Sequence, residues 1–150
     1  MDKILKIINA NIAEIRISGN KPVKWIIKAE SMLECKLPTS YKFFLEKWGV
    51  LRFDGNEYYG IVKDDFANSG IPDVVWFNMR RRSRDNFPKH LIIFKDNLDS
   101  SEYLCLDVSK MDDNGECPVV VWDNINKKID QTLDANFGDI LLENLEESFG

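Results

Sequence analysis

Residues 29–49 constrain the fold more than any other stretch. Leu37-Pro38 forces a corner, because a residue before proline is driven out of the helical region, so a helix arriving from the N-terminal side stops there. Directly after it, Thr39 and Ser40 both offer side-chain oxygens suited to an N-cap. Tyr41, Phe44, Leu45 and Trp48 then fall at i, i+3, i+4 and i+7, which predicts a helix over 39–48 with a buried aromatic stripe. Before the corner, Pro22 suits the first turn of a helix over 22–35, in which Ile26, Ala29, Met32 and Leu33 share one stripe. Two helices meeting at a proline corner, closed by Gly49, are the fixed point from which the rest is read.

Upstream, Ile4, Leu5, Ile8, Ile12 and Ile15 recur at helical spacing and predict a helix over 2–16, ended by Ser18-Gly19-Asn20. Downstream of Gly49 the period changes. Residues 50–53 and 57–62 read as a hairpin about Asp54-Gly55-Asn56. A polar loop follows over 63–71, and Pro72-Asp73 opens a helix to about Asn86. Residues 91–95, 102–108 and 118–123 read as strands, separated by the turns 96–100 and Asp112-Asp113-Asn114-Gly115. Residues 125–130 read as a short edge strand. Leu133, Phe137, Ile140, Leu141 and Leu145 predict a closing helix over 134–148. Strands joined by tight turns instead of helical crossovers imply an antiparallel meander with helices on one side. The expected fold is α+β, a single domain over 1–150 with N-terminal helices and a closing C-terminal helix packed on the sheet.

A chain of 150 residues buries about 68–70% of its unfolded surface in one core. No apolar run approaches the length of a membrane helix, and the charged N-terminus lacks a secretory apolar core, so a cytoplasmic protein without a membrane partner is expected. Cys35, Cys105 and Cys117 are three in number and without motif spacing, which implies free thiols. Charge is unevenly spread. Residues 1–95 carry 17 Lys and Arg against 11 Asp and Glu, a net +6, and residues 96–150 carry 3 against 14, a net −11. An acidic half repels nucleic acid and attracts a basic partner, or simply solvates the surface.

Chemistry-bearing motifs are sparse. His90 is the single histidine and no nucleophile stands in a recognisable context beside it, so no catalytic residue is assigned. No Cys-x-x-Cys or His pair supports zinc, and Asp112-Asp113-Asn114-Gly115-Glu116 lacks the ligand spacing of a calcium loop. No glycine-rich phosphate loop is present, and no metal or cofactor is expected. The run Arg80-Arg81-Arg82-Ser83-Arg84 leaves three readings open: phosphate contact, contact with an acidic partner, or a solvated helix end whose cations complement the dipole.

The string Glu30…Leu37-Pro38-x-Ser40-Tyr41-x-x-Phe44-Leu45…Gly49 resembles the core motif of the SUKH superfamily, named after a yeast regulator of cell-wall synthesis. Three later segments continue the resemblance in order: Tyr103-Leu104-Cys105-Leu106-Asp107, Pro118-Val119-Val120-x-Trp122-Asp123, and Asn136-Phe137-Gly138-Asp139-Ile140-Leu141. Two departures, Trp48-Gly49-Val50 for Asn-Gly-Gly and Ile140 or Leu141 for a phenylalanine, change packing and a turn.

Bacterial proteins similar to this one are mostly immunity proteins. The resemblance therefore implies a non-catalytic antitoxin that binds the C-terminal toxic domain of a cognate polymorphic toxin, many of which are basic nucleases, and occludes it. The superfamily also holds regulatory adaptors of cell-envelope or signalling control, which is the alternative. On either reading the motif residues Leu37, Pro38, Tyr41, Phe44 and Leu45 are structural, and contact falls to loops and exposed strand faces. The candidates are Asp54, Glu57 and Tyr59 in the first hairpin, Asp64 and Asp65, Asp96 and Asp99, and Asp112, Asp113 and Glu116. Trp76 joins them only if it is exposed.

Overall fold

The computed structural model describes residues 1–97 and 101–150. Helices α1 (Asp2–Ala10), α2 (Val23–Leu33) and α3 (Thr39–Lys47) lead, and α4 (Val74–Asp85) interrupts a run of strands that α5 (Phe137–Phe149) closes. The strands are β1 (Arg16–Ile17), β2 (Leu51–Phe53), β3 (Asn56–Tyr58), β4 (Leu91–Asp96), β5 (Glu102–Asp107), β6 (Val119–Asp123) and β7 (Lys128–Thr132). They lie side by side in chain order, every neighbouring pair antiparallel. The expected α+β meander with leading helices and a closing helix is the observed architecture, but the helices are not confined to one side: α4 lies on the face opposite α3 and α5, where Phe77 packs on Tyr103.

The first helix is shorter than its periodicity implied. It ends at Ala10, and a 3-10 turn over Ile12–Glu14 leads into β1, which pairs with β2. Ile15 still reaches the core, at 6% exposure, so its apolar spacing is satisfied by an extended residue instead of a helical one. Asp54 and Gly55 both take positive φ, 47° and 80°, giving the two-residue turn whose twist suits a hairpin.

Residues paired across strands share a face, and register divides the sheet. Tyr58, Lys95, Leu104 and Val121 lie on one face; Asp96, Tyr103, Trp122 and Ile129 lie on the other. The first face receives α3 and α5: the Phe137 ring meets Tyr41, Phe44, Tyr58 and Phe94 at centroid distances of 4.9–6.0 Å. The second is covered in part from α4 and the segment after it, with Phe77 on Tyr103 (5.8 Å) and Phe87 on Trp122 (4.8 Å). α4 reaches the sheet where β3 has ended. There the buried Asn78 amide behaves as a missing strand: Ile93 N–H donates to its Oδ1 (2.8 Å), and its Nδ2 donates to Ile93 O (2.9 Å).

The corner motif is structural. The buried Glu30 carboxylate accepts the Leu37 N–H at 2.7 Å, tying the end of α2 to the corner. Gly49 sits at φ 74°, and a Cβ there would meet Ile61 O at 2.8 Å, so only glycine fits where the chain turns from α3 into β2.

Candidate functional site

An antiparallel meander puts alternate connections at the same end of its sheet. The β2–β3 turn, Asn97 and Ser101 at the facing ends of β4 and β5, and the β6–β7 turn therefore stand at one end, and the β5–β6 connection at the other. The predicted contact residues divide accordingly. Asp54 and Asp96 come together at the hairpin end, where with Asn56, Lys95 and Glu102 they line a depression of about 440 Å³. Lys95 is its buried cation: the ammonium lies 5.9 Å from the Tyr58 ring centre, and burial lowers its pKa against the opposing pull of Asp96. Asp112 and Asp113 are exposed at the opposite end. Asp64 and Asp65 belong to neither group; the Asp64 carbonyl accepts Lys28 Nζ of α2 at 2.6 Å. Asp99 lies outside the described residues.

Two candidates are withdrawn from the contact surface. Tyr59 is 2% exposed, its ring on Phe77 and its carbonyl accepting Tyr41 Oη–H at 2.6 Å. Glu116 caps α3, accepting the Ser40 N–H (2.8 Å) and hydroxyl (2.6 Å). That also corrects the expected local cap, since no side chain of the helix's own N-terminal boundary fills the role. Glu57 is partly engaged by Arg52 at 3.1 Å. Trp76 is half-buried beneath the Arg80 guanidinium, 5.2 Å from its ring centre. The basic run is largely spent inside the chain: Arg81 pairs with Asp85 at 2.8 Å and Arg82 donates to Lys89 O at 3.1 Å.

α5 joins the two ends. Its capping box, Asn136 with Asp139, starts beside the Glu116–Ser40 corner. Its last turn reaches the hairpin end, where Ser148 Oγ–H donates to Asp54 Oδ2 at 2.9 Å and the Phe149 ring lies tilted against Phe53, 5.9 Å between centroids. Along the way Asp139, Glu143, Glu146 and Glu147 surround the half-buried Leu142. Depressions sharing Asp139 continue this surface to Asp112 and Asp134. Among the described residues no cation pairs with any of the α5 carboxylates. Their field reaches inward: burial and then Glu147 and Glu143 raise the Tyr58 phenol well above its ordinary range. These helix positions were missing from the sequence-based set, although their i, i+4, i+7, i+8 spacing was there to be read.

The thiols of the chain are not activated. Burial pushes the Cys35 thiol up to about 11 and the Cys117 thiol up to about 12, so both stay protonated at neutral pH. Among the described residues no three His, Cys, Asp or Glu side chains converge as a metal site, and no helix is long and apolar enough to cross a membrane.

An antiparallel meander fronted by a proline-cornered helix pair and crossed by an acidic closing helix defines an α+β domain of one seven-stranded sheet. The family model SUKH_5, described as SMI1-KNR4 cell-wall, matches residues 1–146, and the chain belongs to that family. The fold is similar to that in the crystal structure of a protein from Pseudomonas syringae pv. tomato. The match has a TM-score of 0.59 at 12% identity and covers 94% of this chain and 98% of that one.

Proposed function

We propose that this chain is an immunity protein, which binds the toxic domain of a cognate polymorphic toxin in the cytoplasm and neutralises it by occlusion. The observation that carries the reading is the uncompensated charge of α5. Asp139–Glu143 and Glu143–Glu147 are like-charge pairs at i, i+4, and Glu146 and Glu147 stand in the last turn, where the helix dipole favours cations. Asp139 supports the helix through its capping box, whereas Glu143, Glu146 and Glu147 work against it, which points to a use outside the chain. A basic protein surface supplies the missing cations. Toxic nucleases carry such surfaces because they hold phosphates, and the same field turns nucleic acid itself away. Membership of the SUKH family, which includes immunity proteins, supports the reading.

The contact surface we assign runs from Asp112 and Asp113 along Asp139, Glu143 and Glu147 to Asp54. Charge acts here mainly on the rate of encounter and the choice of partner. The test is co-expression of the toxic domain encoded beside this gene, with and without this chain. Survival together with co-purification is the expected result. Death despite abundant folded protein overturns the reading and moves the case to a regulatory adaptor, for which an unbiased pull-down is the next step.

A further inference from the structure

We infer that β7 is a self-pairing edge: two copies of this chain join antiparallel along it, with Ile129 against Ile129 at the two-fold axis and each Lys128 opposite the Asp130 of the other copy. The inference goes beyond the proposed function and does not depend on it.

The seven strands leave two edges, β1 and β7. β1 offers two residues, and the N–H of Ser18 that follows it already donates to Trp48 O at 3.2 Å. β7 offers five, all of them exposed. Alternation of hydrogen bonds decides which of its backbone groups face outward. Leu133 N–H donates to Val119 O at 2.8 Å, so Val121 and Gln131, two residues along β6, also form a hydrogen-bonded pair, and the next pair, Trp122 with Ile129, does not. The N–H and C=O of Ile129 therefore point away from β6, as the central pair of a new antiparallel ladder requires. The Ile129 side chain is 40% exposed and shares the Trp122 face.

Charge selects the occupant. Sheet edges are commonly guarded by a lysine and a bulge, and β7 has both, Lys128 and the extra residue Asp130 where its register with β6 shifts. Against a second copy the guard becomes selection. With Ile129 on the axis, position 128 meets position 130 twice, each time a cation opposite a carboxylate. An axis on Lys128 or on Asp130 would instead set two like charges face to face. Among the described residues neither Lys128 nor Asp130 has an ion pair. Lys128 faces Asp123 of its own sheet, but that carboxylate is taken up by the N–H groups of Ile125 and Asn126 and by Asn126 Nδ2. In the dimer Lys128 stands between Asp123 and Asp130 of the second copy. On the opposite face the row Tyr103, Trp122, Ile129 runs on through its symmetric counterpart. A ladder this short buries less than the roughly 1,000 Å² of a stable interface, so the dimer is reversible, with a dissociation constant on the order of tens of micromolar.

The test is sedimentation equilibrium on the purified chain at physiological salt, from about tenfold below to about tenfold above that constant. The unaltered chain is expected to pass from the mass of one chain to that of two. Lys128→Asp and Asp130→Lys each put like charges opposite one another on both sides of the axis, and each variant alone is expected to associate at least about tenfold more weakly. Mixed in equal amounts they are complementary at both positions, and a heterodimer as tight as the unaltered dimer is expected. Asp113→Lys, the same change of charge elsewhere, is expected to match the unaltered chain. All three positions are exposed, and an unchanged thermal midpoint establishes that each variant is folded. A chain that keeps the mass of one copy throughout overturns the inference and leaves the edge to a strand of another protein. Full association of Asp130→Lys alone, or a mixture that stays monomeric, overturns this register and with it the inference.

Discussion

Glu116, at the mouth of β6, holds Ser40, at the start of α3, through two hydrogen bonds, 2.8 Å to its N–H and 2.6 Å to its hydroxyl. Beside it, Thr39 N–H donates to Gly115 O at 2.8 Å. The turn that looks most like a free acidic loop is therefore the clasp between the helix corner and the sheet. Losing an N-cap costs about 0.5–2 kcal/mol, typically near 1. Glu116→Ala is expected to lower stability by that amount in urea titrations while leaving the partner's dissociation rate within about twofold. A large fall in affinity at unchanged stability would return Glu116 to the contact surface.

Asn78 presents a second structural dependence. Its amide satisfies both backbone groups of Ile93 and also donates to Val74 O at 2.8 Å. A buried polar group left without a partner costs about 1–3 kcal/mol, and Asn78→Ala orphans two at Ile93. The expected loss in chemical denaturation is several kcal/mol, well beyond that of the exposed Asp113→Ala. Asn78→Asp is not expected to rescue it, because a carboxylate has no donor for Ile93 O or Val74 O.

The aromatic core predicts the response to alkali. Burial holds the phenols of Tyr41 and Tyr58 well above their ordinary range, reinforced by Asp73 at Tyr41 and by Glu147 and Glu143 at Tyr58. A phenol raised in the folded state contributes stability that is fully present below the unfolded value of about 10 and is lost as pH rises past it, since only the unfolded chain then ionises. The urea midpoint is expected to start falling above about pH 8.5, where the thiols of Cys35, Cys105 and Cys117, also raised by burial, ionise in the unfolded chain, and a steeper fall is expected above about pH 10 as the phenols follow. In Tyr58→Phe that fall should be shallower, although the variant starts lower because Asn144 Oδ1, which accepts the Tyr58 hydroxyl, loses its donor. A parallel fall in both proteins would assign the alkaline transition elsewhere.

What the sequence made legible is local. The proline corner, the aromatic stripe of α3, the Asp54-Gly55 turn and the strand order all follow from spacing and turn chemistry. What it hid is long-range. Ile12 and Ile15 continue the periodicity of α1, yet Ile12 is 49% exposed in a 3-10 turn and Ile15 is extended, because pairing of β1 with β2 outweighs a few helical contacts. Glu116 is 76 residues from the hydroxyl it caps, and Asp54 is 94 from Ser148, so neither partnership has a local signal. Tyr59 follows Tyr58 along the chain, yet both are buried, because the chain leaves the strand there and Tyr59 packs on α4 instead of facing solvent. The acidic candidates of the sequence lie in turns, a loop and a hairpin strand, whereas the charge that joins the two ends of the sheet lies on a helix.

That helix makes stability and recognition oppose each other. Glu143 lies four residues from both Asp139 and Glu147, so Glu143→Lys converts two repulsive pairs into attractive ones. The thermal midpoint is therefore expected to rise. The same substitution removes charge from the centre of the proposed steering surface and adds its opposite, so association with a basic toxic domain is expected to slow by about tenfold at low salt, with a smaller difference at high salt where the field is screened. Stopped-flow association across a salt series, read beside a melting curve, checks both halves. A higher midpoint with an unchanged association rate would separate the acidic face of α5 from partner capture and leave its charge without a role in binding.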